Sequence, residues 1–103
     1  MSADAALVGR IRAALTGRDV REVPMFGGIA FMVDGRLLAS SRRAGDLLVR
    51  IDPARREQLL ARPGVMPAEM GSGRRMGDAW LVVAAEHLDG EHLGEWLGLA
   101  ARG

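Results

Sequence analysis

Val20-Arg21-Glu22-Val23-Pro24-Met25-Phe26-Gly27-Gly28-Ile29-Ala30-Phe31-Met32-Val33-Asp34-Gly35 carries most of the information about how this chain folds. Ile29 to Val33 is its clearest strand, short, apolar and rich in β-formers. Asp34-Gly35 behind it is a strong hairpin signal, because a two-residue type I′ turn needs positive φ at both central positions. Upstream, Val20 to Val23 is β-like, and Pro24 removes one ladder donor, so this piece reads as an edge strand or a strand end. The Gly27-Gly28 pair between the two runs allows the positive φ of a tight reversal or bulge. A backbone left bare for a ligand or partner is the other use of such a pair. Downstream, Arg36 to Ser41 returns as a strand, Arg42 to Gly45 makes a looser turn, and Asp46 to Ile51 is a further strand. There Leu47, Val49 and Ile51 share one face while Arg50 takes the other. Short connections of this kind make an antiparallel meander.

Outward from the meander the period changes to that of helices. Leu7, Ile11 and Leu15 recur at helical spacing with Val8 and Ala14 beside them, Ser2 or Asp4 can cap the segment, and Gly17 can end it. Asp52-Pro53 starts a second helix, with Asp52 as N-cap and Pro53 at N1, running to about Ala61 and burying Leu59 and Leu60. Val65 to Gly77, with a proline, three glycines and three methionines, reads as irregular. Trp80 to Val83 centres a last strand, and Asp89 caps a closing helix carrying Leu93, Trp96, Leu97 and Ala100. The expectation is a two-layer α+β domain: a mainly antiparallel sheet of about five strands, four in the meander and one late, with three helices in the order α-β-β-β-β-α-β-α.

The chain has 103 residues, enough for one domain with a buried core. It has no cysteine, which excludes disulfides, thiolate nucleophiles and Cys-ligated metals. That absence fits a cytoplasmic setting. Neither a leader nor an apolar run near the roughly 18 residues of a membrane span is visible. The net charge of +1 is not that of a chain built around a polyanion. All 14 basic residues are Arg, and scattered along the chain they form no patch in the sequence. Two Phe, two Trp and no Tyr leave little material for stacking nucleobases.

No group of residues reads as a catalytic, cofactor or metal site. No P-loop pattern is present, and no nucleophile elbow frames Ser40, Ser41 or Ser72. His87 and His92 straddle the start of the last helix rather than forming an i, i+4 metal pair. Two arginine pairs, Arg42-Arg43 and Arg74-Arg75, are candidates for contact with an anion or nucleic acid through charge-assisted hydrogen bonds. Solvated surface charge is their ordinary role. Of the six methionines, Met66, Met70 and Met76 fall in the irregular segment. Met fills awkward gaps, and where exposed it makes an adaptable contact surface.

In this order, Met25-Phe26-Gly27-Gly28 with Asp34-Gly35, Leu47 to Arg50, Gly73-Arg74-Arg75-Met76-Gly77-Asp78-Ala79-Trp80 and Leu93 with Trp96 resembles the N-terminal domain of the TfoX/Sxy family. The resemblance runs from about Leu7 to Leu99. It implies a compact α+β fold, single over residues 1–103, and a role in bacterial competence, where family members act as transcriptional co-regulators. It also implies that the second, C-terminal domain of the full-length regulators is missing from this chain. Met25, Phe26, Gly27, Gly28, Met76, Gly77, Trp80 and Trp96 are the matching motif positions, structural or interactive in role. The family offers no catalytic residues to transfer. The expected activity is therefore a non-enzymatic regulatory or protein-interaction module with a protein partner and no membrane contact. A homodimer is one way to cover a second sheet edge. Direct nucleic-acid binding through the arginine pairs, or a small-ligand pocket under Val65–Gly77, are the rival readings.

Overall fold

The computed structural model describes residues 3–25, 28–42, 45–70, 74–75 and 77–102; of residues 3–5, 25, 69–70, 74–75 and 102 it describes the backbone alone. Helix α1 spans Ala3–Ala14 and is followed by strands β1 Val20–Met25, β2 Gly28–Val33, β3 Arg36–Ser41 and β4 Leu47–Arg50. A 3-10 turn at Pro53–Arg55 runs into α2, Arg56–Leu60. Then come β5 Val65–Pro67, β6 Glu69–Met70, β7 Arg74–Arg75 and β8 Trp80–Val83. A second 3-10 turn, Ala85–His87, precedes α3, His92–Arg102.

The meander forms as its residues dictate. Asp34 and Gly35 take φ of 53° and 83°, the two positive values that a type I′ reversal demands. β1 to β4 then pair consecutively and antiparallel, and β8 and β5 complete a sheet in the order β1-β2-β3-β4-β8-β5. The sheet therefore has six strands where about five were expected. The additional strand lies in the segment read as irregular. Val65–Pro67 is too short to show alternation, and it becomes a strand through pairing with β8. Beyond it β6 and β7 form a separate two-stranded ribbon. β1 is the edge strand that Pro24 foretold.

Between Phe31 and Met32 the β2–β3 register slips, so that Leu38 and Ala39 both enter the main core. That core fills the space between one sheet face and the helices. Leu7, Val8, Ile11 and Leu15 enter it from the α1 side, Leu59 from α2 and Leu93, Trp96, Leu97 and Ala100 from α3. Phe31, Val49, Leu81 and Val83 meet them from the sheet. Each fully buried side chain of this size adds about 1.5–3 kcal/mol. Leu60 is only half-buried, packed at the margin.

The helix ends follow local chemistry. The Asp52 side chain accepts the Ala54 N–H at 3.0 Å with Pro53 in the first turn, and Gly17 has a φ of 92° beyond α1. Ser2 and the Asp4 side chain, the expected caps of α1, lie outside the described residues. The expected cap at Asp89 is corrected: α3 starts at His92, and the Asp89 backbone carbonyl, not its side chain, accepts the His92 N–H at 3.2 Å. Arg10 reaches from α1 to the carbonyls of Leu88 and Gly90, tying that helix to the segment that leads into α3.

Candidate interaction surface

At one end of the sheet the Met25-Phe26-Gly27-Gly28 motif meets the end of β3. Phe26 and Gly27 and the Met25 side chain lie outside the described residues, but Gly28 is informative. Its φ is not positive; instead, a Cβ there would stand 1.8 Å from the Ser41 carbonyl oxygen. Gly28 is bare neither for a turn nor for a ligand, but because the backbone of β3 passes too close for a side chain. The two serines stitch this approach. Ile29 N–H donates to Ser41 Oγ at 3.0 Å, and Ser40 Oγ lies 3.2 Å from the Ile29 carbonyl. Both serines are fully buried, so their hydroxyls stand in for ladder bonds that buried backbone groups require. Sequence reasoning saw these serines only as unframed nucleophiles; two polar residues closing a strand were the available signal.

The arginine pairs do not emerge as one patch. Arg42 lies half-buried across the β3–β4 turn with Nε 3.4 Å from Asp46 Oδ1, a Coulombic contact, since that oxygen has no hydrogen-bond partner. Arg43 lies outside the described residues. Arg74 and Arg75 form β7 opposite Met70 and Glu69, and their side chains lie outside the described residues.

The second motif is held by a residue that the sequence did not single out. Arg56 of α2, almost fully buried, aims one guanidinium nitrogen at the carbonyls of Gly77, Asp78 and Trp80 at 3.3–3.5 Å. This fixes the turn into β8, where Gly77 has a φ of 111°. Met76 lies outside the described residues. Trp80 packs half-buried against Leu48, Ala68 and Val82 on the face of the sheet opposite the main core. Ala68 is buried there, so the start of the 65–77 segment sits on a filled floor. Trp96 is a core residue, with the Arg62 guanidinium 5.2 Å from its ring centroid and Arg62 paired to Glu95 at 3.2 Å.

The histidines take structural places. His87 lies against Gly64, where a Cβ would come within 2.1 Å of the ring. His92 Nδ1 lies 3.1 Å from the Asp89 carbonyl. They line one depression of about 340 Å³ with Arg62 and Trp96. Among the described residues no group of His, Asp and Glu is arranged to hold a metal ion.

The face opposite the helices offers the most open apolar surface. Cross-strand partners share a face, and the register aligns Val23, Ala30, Ser40, Leu48, Val82 and Met66 in one row across all six strands. Its centre is buried, and its ends are open: Val23 is half-buried and Met66 is 47% exposed, the one exposed large hydrophobic side chain among the described residues. The strand edges beside these ends are blunted. Asp34 N–H bonds Asp19 O and Ala84 N–H bonds Gly64 O inside the β1–β2 and β5–β8 pairs, so Asp19 and Gly64 face inward. By antiparallel alternation Pro24 and Pro67 fall at positions facing away from the sheet, where a proline denies a further strand its donor.

Fold and surface define a small α+β module in which many described polar groups serve its own architecture and the sheet face opposite the helices ends in an exposed apolar side chain. Residues 13–102 match the model of the TfoX N-terminal domain, and the chain belongs to that family. At family level this is a regulatory domain associated with competence. No curated protein and no solved structure matches the chain. No helix among the described residues is long and apolar enough to cross a membrane.

Proposed function

We propose that this chain is a non-enzymatic, cytoplasmic regulatory domain of the transcriptional, competence-associated kind, acting by binding a protein partner. The observation that carries the reading is Met66. It stands exposed at the end of the apolar row, on the face without helices, and beside an edge that Pro67 closes to strand addition. A partner seated on that face would gain apolar contact without extending the sheet, and methionine suits such a surface. The same prolines argue against a homodimer made by edge pairing. Arg42 is already engaged with Asp46, which weighs against nucleic-acid binding through the first arginine pair.

A photo-crosslinking residue at position 66, compared with one at exposed Ala13 on α1, tests this in the cell. A discrete protein adduct from position 66 alone, with Met66→Asp reproducing the transcriptional phenotype of a deletion, is the expected result. No adduct at 66, together with an unchanged transcript profile on deletion, would sink the proposal.

A further inference from the structure

Three arginines far apart in sequence are gathered by the fold. Arg18 follows α1, Arg36 opens β3 and Arg50 closes β4, and all three line one cleft of about 140 Å³ at the Asp34-Gly35 end of the sheet. Val33, Leu38 and Ala100 of α3, all buried, give it an apolar wall. Arg50 is half-buried, while Arg18 and Arg36 are exposed. Among the described residues none of these guanidiniums has a hydrogen-bond or ion-pair partner. Arg10, Arg12, Arg56 and Arg62, by contrast, each reach an acceptor supplied by the fold, and Arg42 has its ion pair with Asp46.

The neighbouring carbonyl end of α3 explains how three like charges coexist, since that end of a helix attracts cations. It does not satisfy their donors, for none of the three donates to it. A guanidinium presents five N–H donors in a fixed fork suited to oxyanions. Asp34, also on the rim, pairs with none of them. Among the described lining residues, three guanidiniums against that single carboxylate leave two positive charges in excess. A phosphate monoester carries about −1.5 to −2 at pH 7, which matches; a single carboxylate does not. The cleft is also well below the roughly 300 Å³ of a pocket that swallows a whole ligand, so it suits one charged group with the rest outside.

We propose that this cleft binds the phosphate of a small phosphate monoester, whose organic body lies over half-buried Leu37 at the rim. The site is independent of the partner surface around Met66. The test is titration of the full chain with phenyl phosphate at fixed ionic strength, followed by backbone amide NMR shifts, with benzoate and inorganic phosphate as comparison ligands. Saturable shifts confined to residues 33–38, 50 and 100–101 are expected, with phenyl phosphate the tightest of the three. Arg50→Gln should weaken binding about ten- to a hundredfold, the worth of a charged hydrogen bond. Arg36→Gln, at an exposed position that leaves the core intact, should weaken it in the same direction. Affinity should fall below about pH 6, where the ester loses its second charge. Non-saturating shifts spread over many arginines would overturn the proposal. So would unchanged affinity in the folded Arg36→Gln variant, or benzoate binding as tightly as phenyl phosphate.

Discussion

The two faces of the sheet are built differently. On the helix side, 19 buried residues among those described interlock in one cluster. On the opposite side, among the described residues, Leu48, Ala68 and Val82 share a small buried cluster with half-buried Trp80, beside buried Ala30 and Ser40. The first face supplies the stability of the domain, and the second is closed only in part, leaving Met32, Leu37 and Val23 half-buried and Met66 exposed. If the proposed partner sits there, stability and partner binding are separated across the thickness of one sheet, and the exposed end of the second face can change with little consequence for the first.

The largest effect should come from emptying the helix side. Trp96→Ala is expected to cost about 3–5 kcal/mol, the usual range for a buried Trp, and the loss of the Arg62 contact on its ring adds to it. Urea unfolding measures this; a loss below about 1 kcal/mol would contradict the assignment of stability to this face. Next comes the joint between β2 and β3. Gly28→Ala places a methyl on the Ser41 carbonyl, and since backbone must move, about 1–3 kcal/mol is expected, as for overpacking. Amide shifts should change on both sides of the joint, at 28–30 and 40–42. A variant as stable as the parent would mean that β3 can withdraw freely, and that the glycine is there for some other reason.

Gly28 also marks the boundary of what the sequence could say. Its identity as a special glycine was legible, because it stands between two β runs. The cause was not, because it lies in the backbone 13 positions away in β3. Asp34-Gly35 was read correctly in type and place because a two-residue turn is wholly local. Glu22, Phe31, Ala39, Val49 and Leu81 lie in one cross-strand row of the helix side, and alternation foreshadowed that face. Strand β5 escaped because three residues ending in Pro67 carry no period; its pairing with β8 supplies the strand. The arginine cleft escaped for the same reason as Gly28. Arg18 lies in the turn after α1, Arg36 in β3 and Arg50 in β4, and adjacency in sequence drew the eye to Arg42-Arg43 and Arg74-Arg75 instead. The Arg56 clamp on Gly77, Asp78 and Trp80 likewise joins residues more than twenty apart.

The opposite face should yield smaller numbers. Leu48→Ala is expected to cost about 2 kcal/mol, the low end for a buried leucine, because the cluster around it is small and can settle. A cost equal to that of Trp96→Ala would erase the distinction between the faces. Met66→Glu should change stability by less than about 0.5 kcal/mol, as exposed substitutions do, while abolishing partner capture. Thermal unfolding and copurification of the partner with the tagged chain together separate those two consequences.

The smallest effect lies at the rim of the helix side, where Arg12 of α1 holds Glu22 of β1 through two hydrogen bonds of 2.6 and 2.8 Å. Hydrogen bonding from Arg12, aided by its charge and opposed by partial desolvation, keeps the Glu22 carboxyl below its ordinary value of 4.5. Because the folded carboxyl ionises at lower pH than the unfolded one, the unfolded chain binds more protons through the carboxylate range, and stability falls with acidification there. The contribution of the pair is complete above the unfolded value and disappears as the pH drops through the folded one. The difference in stability between the parent chain and Glu22→Gln should therefore be level from neutral pH down to about pH 5, then shrink through the acid limb, and added salt should reduce it throughout. Arg12→Gln should show the same profile, and the double variant should cost less than the two single changes combined, since they remove one interaction. A pH-independent difference would show that Glu22 acts by packing rather than by charge. That would leave the edge strand joined to α1 by the apolar core alone and make the contrast between the two faces sharper still.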